Sequence, residues 1–162
     1  MIPKRPAYFA FLLALIPFFA AACGRPSDED IILGLLSDAA RFAEKGDATR
    51  IIARLDATYA DFEGRDRAAT GAMLEEYFAR YRGIAANILR SEVEDLSARE
   101  AVVRTDVALS WGALQAVRKL ARVSLDNYRL RFRLRKSGGE WRFVFAEWRA
   151  LDVAEVLSES GH

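Results

Sequence analysis

A chain of 162 residues, 52% hydrophobic and 29% charged, has room for one domain core and a short extra segment but not for two cores. Its formal net charge of +1 becomes −1 without Lys4 and Arg5 (22 basic against 23 acidic residues), a balance that does not suit bulk nucleic-acid binding. A single cysteine excludes an intramolecular disulfide, and a single histidine, His162, leaves no zinc site or histidine-based triad; no metal or cofactor is expected.

Residues 1–22 have the grammar of an export signal: Lys4 and Arg5 at the start, an apolar run from Tyr8 to Phe19, then Ala20-Ala21-Ala22 before Cys23. The run is shorter than the roughly 20 residues of a spanning helix and contains Pro17, which disfavours a permanent transmembrane anchor. Small residues followed by the chain's one cysteine resemble the bacterial lipobox, although Ala20 stands where leucine is usual. That resemblance implies cleavage before Cys23, acyl chains such as palmitate on its sulfur and amine, and attachment to a membrane facing the periplasm. Ordinary cleavage after Ala22, leaving a free thiol, is the rival reading. Gly24 in place of aspartate, by resemblance to proteobacterial lipoproteins, implies the outer membrane. Residues 23–27 form the tether, of which an extended chain spans at most roughly 14 Å, so the domain is expected to sit close to the lipid.

Ser27-Asp28-Glu29-Asp30 is a capping-box pattern with acids in the first turn, and Ile32, Leu35, Leu36, Ala39 and Phe42 follow at helical spacing up to Gly46. Asp47 caps a short second helix carrying Ile51, Ile52 and Leu55, and Thr58 to Phe62 is a brief extended piece. Asp66 caps a third helix with Met73, Leu74, Tyr77, Phe78 and Tyr81 on one face, stopped by Gly83.

Beyond Gly83 the period falls to two. Asn87–Asp95, Ala101–Trp111, Val123–Lys136 and Trp141–Trp148 read as four strands, with Gly138-Gly139 as a two-residue hairpin turn. A hairpin closed there opposes Leu134 to Phe143, Phe132 to Phe145, Leu130 to Glu147 and Tyr128 to Arg149 on the buried face. The other face then carries Arg129, Arg131, Arg133, Arg135 and Arg142, with Arg90, Glu92, Glu94, Arg104 and Asp106 from neighbouring strands, and Arg129 lies opposite Trp148. The fold class expected is α+β, three N-terminal helices packed on a curved antiparallel sheet of about four strands over residues 28–152, followed by a tail at 153–162.

Gly46-Asp47, Tyr59-Ala60-Asp61-Phe62, Arg67 to Tyr81 and the closing Gly138-Gly139-Glu140-Trp141-Arg142-Phe143 through Glu147-Trp148 resemble, in this order, the nuclear transport factor 2-like superfamily. The resemblance implies a cone of helices and sheet whose open end holds a small apolar ligand. Enzymes of that superfamily, such as ketosteroid isomerase and scytalone dehydratase, use a buried acid, tyrosines or histidine in the cone for proton transfer. Here no histidine is available.

The candidate pocket residues are Asp61 as a base, Tyr59 and Tyr128 as hydroxyl donors, Trp111 as a wall, and Glu147, which the expected register buries among apolar neighbours where its pKa would rise. Against this, Asp61 also suits a turn before Gly64, Glu147 suits an arginine partner, and the aromatics Trp111, Trp141, Phe143, Phe145, Phe78 and Tyr77 suit a plain core. Arg129, Arg131 and Arg133 form a candidate anion-binding face for lipid phosphates or acidic wall polymers, or a solvated face neutralised by cross-strand acids. Gly112 to Arg122 is either an ordinary connection or a segment that grazes a membrane. The functional expectation is a non-catalytic binding or scaffold lipoprotein for an apolar small molecule or an envelope partner. Its alternatives are an acid–base enzyme of isomerase or dehydratase type and a structural homodimer pairing through the sheet.

Overall fold

The computed structural model describes residues 26–110, 126–152 and 155. Cys23 with the expected export signal, Trp111, the Gly112–Arg122 connection and most of the 153–162 tail lie outside them. Helix α1 (Asp28–Glu44) begins with the expected reciprocal cap: Asp30 N–H donates to Ser27 Oγ at 3.1 Å, and Ser27 N–H donates to Asp30 Oδ2 at 3.0 Å. It ends before Gly46, whose φ of +65° closes the turn at no steric cost. Helix α2 (Ala48–Ile52) is capped by Asp47 and α3 (Arg67–Arg80) by Asp66, whose Oδ1 accepts from Ala69 N–H at 2.8 Å.

The sheet has five strands, not four. Strand β1 (Leu55–Asp61) is the addition, and it claims Leu55, expected in the second helix, and enlarges the short extended piece at 58–62. The remaining strands are β2 (Ala85–Leu96), β3 (Glu100–Ser110), β4 (Asp126–Ser137) and β5 (Glu140–Leu151). Their spatial order is β1-β5-β4-β3-β2, with β1 parallel to β5 and every other pair antiparallel. An isolated seven-residue segment carries little period-two signal; pairing with the closing strand is a tertiary event that makes it β.

Gly138 and Gly139 have φ of +59° and +85°, as the tight hairpin turn demands. Leu134 faces Phe143 as expected, but Arg133 faces Phe145, so Val144 is an extra residue and the register beyond it moves by one. The pairs become Phe132 with Ala146, Leu130 with Trp148 and Tyr128 with Ala150 in place of Phe145, Glu147 and Arg149. A one-residue slip exchanges the faces, so Phe145 and Glu147 join Arg133 and Arg131 on the outer surface. Two further irregularities in β2, beside Leu89 and Glu94, add to the curvature that lets the sheet wrap around α1.

The core lies between α1 and the concave face, where Ile32, Leu35, Leu36, Leu55, Tyr59, Val103, Leu134, Trp141 and Phe143 are buried together. It fills the end of the cone near the Gly138-Gly139 turn. There Asp28 at the start of α1 accepts from Lys136 Nζ at 2.6 and 2.9 Å and from the Trp141 indole at 3.0 Å. These donors, Lys136 first, hold the Asp28 carboxyl below its usual range. At the other end Glu44 in the last turn of α1 accepts from Ala86 N–H at 3.3 Å, so α1 runs the length of the cone.

Candidate functional site

The stripe of α1 that faces the sheet changes along its length. Ile32, Leu35 and Leu36 fill the first half; Ala39, Ala40 and Ala43 occupy the corresponding positions in the second. Alanine does not reach the strands opposite, and a cavity of about 250 Å3 remains. Leu74, Tyr77 and Phe78 of α3 close one side of it, and Ile88, Val107, Leu130 and Phe132 form the sheet wall. Thr105, the one hydroxyl residue of that wall, is already engaged: it donates to the Arg90 carbonyl at 3.0 Å and lies 2.8 Å from Ser91 Oγ. The surface that lines it is therefore almost wholly apolar, and among the described residues it contains no carboxylate.

Three tyrosines gather at the wide end. Tyr77 and Tyr81 have ring centroids 4.6 Å apart. Burial first, then the proximity of Tyr128, Tyr81 and Asp126, holds the Tyr77 phenol above its ordinary pKa, so it stays a neutral hydroxyl through the physiological range. Ser110 and Asp126, the ends of β3 and β4, are also at this end. Sequence reading named Tyr77, Phe78 and Tyr128 but gave no weight to the alanines. The signal was present in the leucine-to-alanine change within a single helical stripe.

The residues expected to act together are dispersed. Tyr59 is packed in the filled core, where burial and the charge of Asp61 push its phenol up to about 12. Asp61 is enclosed in the turn after β1, accepting from Glu63 N–H (3.0 Å), Arg65 N–H (2.9 Å) and Arg65 Nε (2.7 Å), which uses both oxygens and suits the turn role over the base role. Glu147 is not buried among apolar side chains: the bulge turns it outward, its side chain is 44% exposed, and it lies 3.7 Å from Arg131. Trp141 and Phe143 are core, and Phe145 lies on the outer face beneath Arg133 at 4.4 Å.

That outer face is a charge lattice. Arg129 grips Asp106 with two hydrogen bonds of 2.8 Å, Arg131 donates to Glu94 at 2.9 Å, and Arg104 bridges Glu92 (2.6 Å) and Glu94 (3.6 Å). Cross-strand acids thus occupy Arg129 and Arg131, the second of the two readings of the row; Arg133 stacks on Phe145 instead. Arg65 lies over Trp148 at 5.3 Å, and Phe62 meets its edge at 4.7 Å.

Helices over a five-stranded curved sheet with a cavity at the wide end define the nuclear transport factor 2-like, or cystatin-like, fold. Solved structures agree. A Caulobacter vibrioides protein described as uncharacterised with a cystatin-like fold superposes with a TM-score of 0.64 at 10% identity, over 81% of this chain and 94% of that one. A nuclear transport factor 2-like protein of Novosphingobium aromaticivorans gives 0.59 at 20% identity, over 81% and 87%. A proposed scytalone dehydratase from the same organism gives 0.58 at 17% identity, over 75% and 83%. No family model matches the sequence, and no curated protein matches it. At these identities the likeness establishes the fold alone.

Proposed function

We propose that this chain is a bacterial envelope lipoprotein, anchored through acyl chains on Cys23, whose cone binds a small neutral apolar molecule without transforming it. The carrying observation is the cavity: about 250 Å3, with a surface that is almost wholly carbon, from alanine, leucine, isoleucine, valine and aromatic side chains. A charged ligand would lose its hydration there without a partner. On the scale of a 150 Å3 apolar cavity that takes up benzene, this one holds on the order of ten heavy atoms.

The second reading, an acid–base enzyme, is supported by the tyrosine cluster and by the fold shared with a proposed dehydratase. Its carboxylates are a difficulty, since Asp61 is committed to its turn and Glu147 points outward. Binding is tested by fluorescence titration with the neutral apolar probe 1-aminonaphthalene, whose size matches the cavity. Saturable uptake by the native chain, and its loss in Ala43→Leu, supports the reading; equal uptake by both places the probe elsewhere and overturns it. Anchoring is tested by palmitate labelling, which Cys23→Ser should abolish.

A further inference from the structure

We infer that the domain stands on its membrane with the tips of the β2–β3 and β4–β5 hairpins toward the lipid and the cone mouth facing away, an inference that rests on the acylation of Cys23. The tether fixes one end. Three residues separate Cys23 from the Ser27 cap, so the start of α1 is held within roughly 14 Å of the acylated sulfur. That start is not free to swing, because Asp28 is bound to both Lys136 and Trp141 beside the β4–β5 turn. The second hairpin is tied to the first at the same end, where Lys136 N–H donates to the Arg99 carbonyl at 2.8 Å. Anchor, helix start and both hairpin tips therefore form one rigid end.

The mouth is at the other. Helix α1, 17 residues long, extends about 25 Å before Glu44 meets Ala86. Strand β4 gives the same result independently: Tyr128 and Lys136 are eight residues apart, about 27 Å of extended chain. Beyond its first turn, which is near the lipid in either pose, α1 carries Asp38 and Glu44 against the single Arg41, so its flank has no basic excess to draw the domain flat onto an anionic leaflet. The two tips by contrast carry Arg99, Arg135, Lys136 and Arg142 against Asp95, Glu100 and Glu140, a small basic excess.

This orientation has a functional consequence. A cone whose mouth stands about 25 Å above the headgroups does not draw its ligand directly from the bilayer that anchors it; ligand and partner arrive from the aqueous side. Ser110 and Asp126, the end of β3 and the start of β4, are at that distal end too.

The test uses the full acylated chain in vesicles of phosphatidylethanolamine and phosphatidylglycerol containing a nickel-chelating lipid. A nitroxide is attached in turn at Ser137→Cys, on the hairpin tip, and at Arg82→Cys, exposed at the mouth end. Paramagnetic relaxation by the headgroup nickel should be several-fold stronger at position 137. Equal relaxation at both positions, or stronger relaxation at 82, overturns the orientation while intact mass showing acyl chains leaves the lipoprotein reading standing. An intact mass without acyl chains removes both.

Discussion

Replacing Ala40 by leucine asks whether the space beside α1 is open, because the sign of the stability change depends on it. Ala40 continues the row of Ile32 and Leu36 at intervals of four and lines the cavity. Leucine adds three carbons, which on the benzene scale take up roughly 75 Å3, well within the 250 Å3 present. Each buried carbon contributes about 0.8 kcal/mol, so Ala40→Leu should stabilise the domain by about 2 kcal/mol. With a urea dependence of about 2 kcal/mol per molar, the unfolding midpoint should rise by about 1 M, measured by circular dichroism on ligand-free protein. Were the site already filled by its own side chains, the same carbons would overpack it and destabilise by about 1–3 kcal/mol. A lowered midpoint therefore refutes the open cavity.

On the outer face, Asp106→Asn should cost about 2–3 kcal/mol in urea unfolding, because Arg129, only 16% exposed, loses a charged two-point partner. Glu147→Gln, half-exposed on the same face, should change stability by less than about 1 kcal/mol and leave probe binding intact; a large loss would mean that Glu147 is buried after all. Tyr59 is deprotonated at lower pH in the unfolded chain than in the fold. Its contribution is therefore complete below pH 10 and lost as pH rises toward about 12, so Tyr59→Phe should move alkaline unfolding, followed by near-ultraviolet absorbance, to higher pH. Gly139→Ala forces a Cβ onto φ of +85° and should lower stability by about 1–2 kcal/mol, read from the thermal midpoint.

Local rules were sufficient where the signal is local. Ser27, Asp47 and Asp66 cap the three helices, Gly138-Gly139 closes the hairpin, and four strands lie within a few residues of their expected bounds. What was missed depends on distant partners. β1 is a strand because β5 is beside it, and no residue within Leu55–Asp61 announces that pairing. The bulge at Val144 has no glycine or other local marker, yet it sends Glu147 and Phe145 to the opposite face and removes the buried carboxylate the alternating pattern implied. Asp61 was legible as a turn residue from Gly64 close behind it, and its three donors support that role. The cavity was the hardest feature to read, because alanines in a helix look like good helix formers until the strands they fail to reach are known.

Native mass spectrometry of the full chain, extracted gently from a bacterial envelope, shows whether the cone is occupied. An open apolar cone should carry an additional neutral molecule of on the order of ten heavy atoms, lost on denaturation and absent from Ala40→Leu and Ala43→Leu. Bare protein that also fails to take up added 1-aminonaphthalene, or a bound mass retained in both variants, would contradict an open apolar cone.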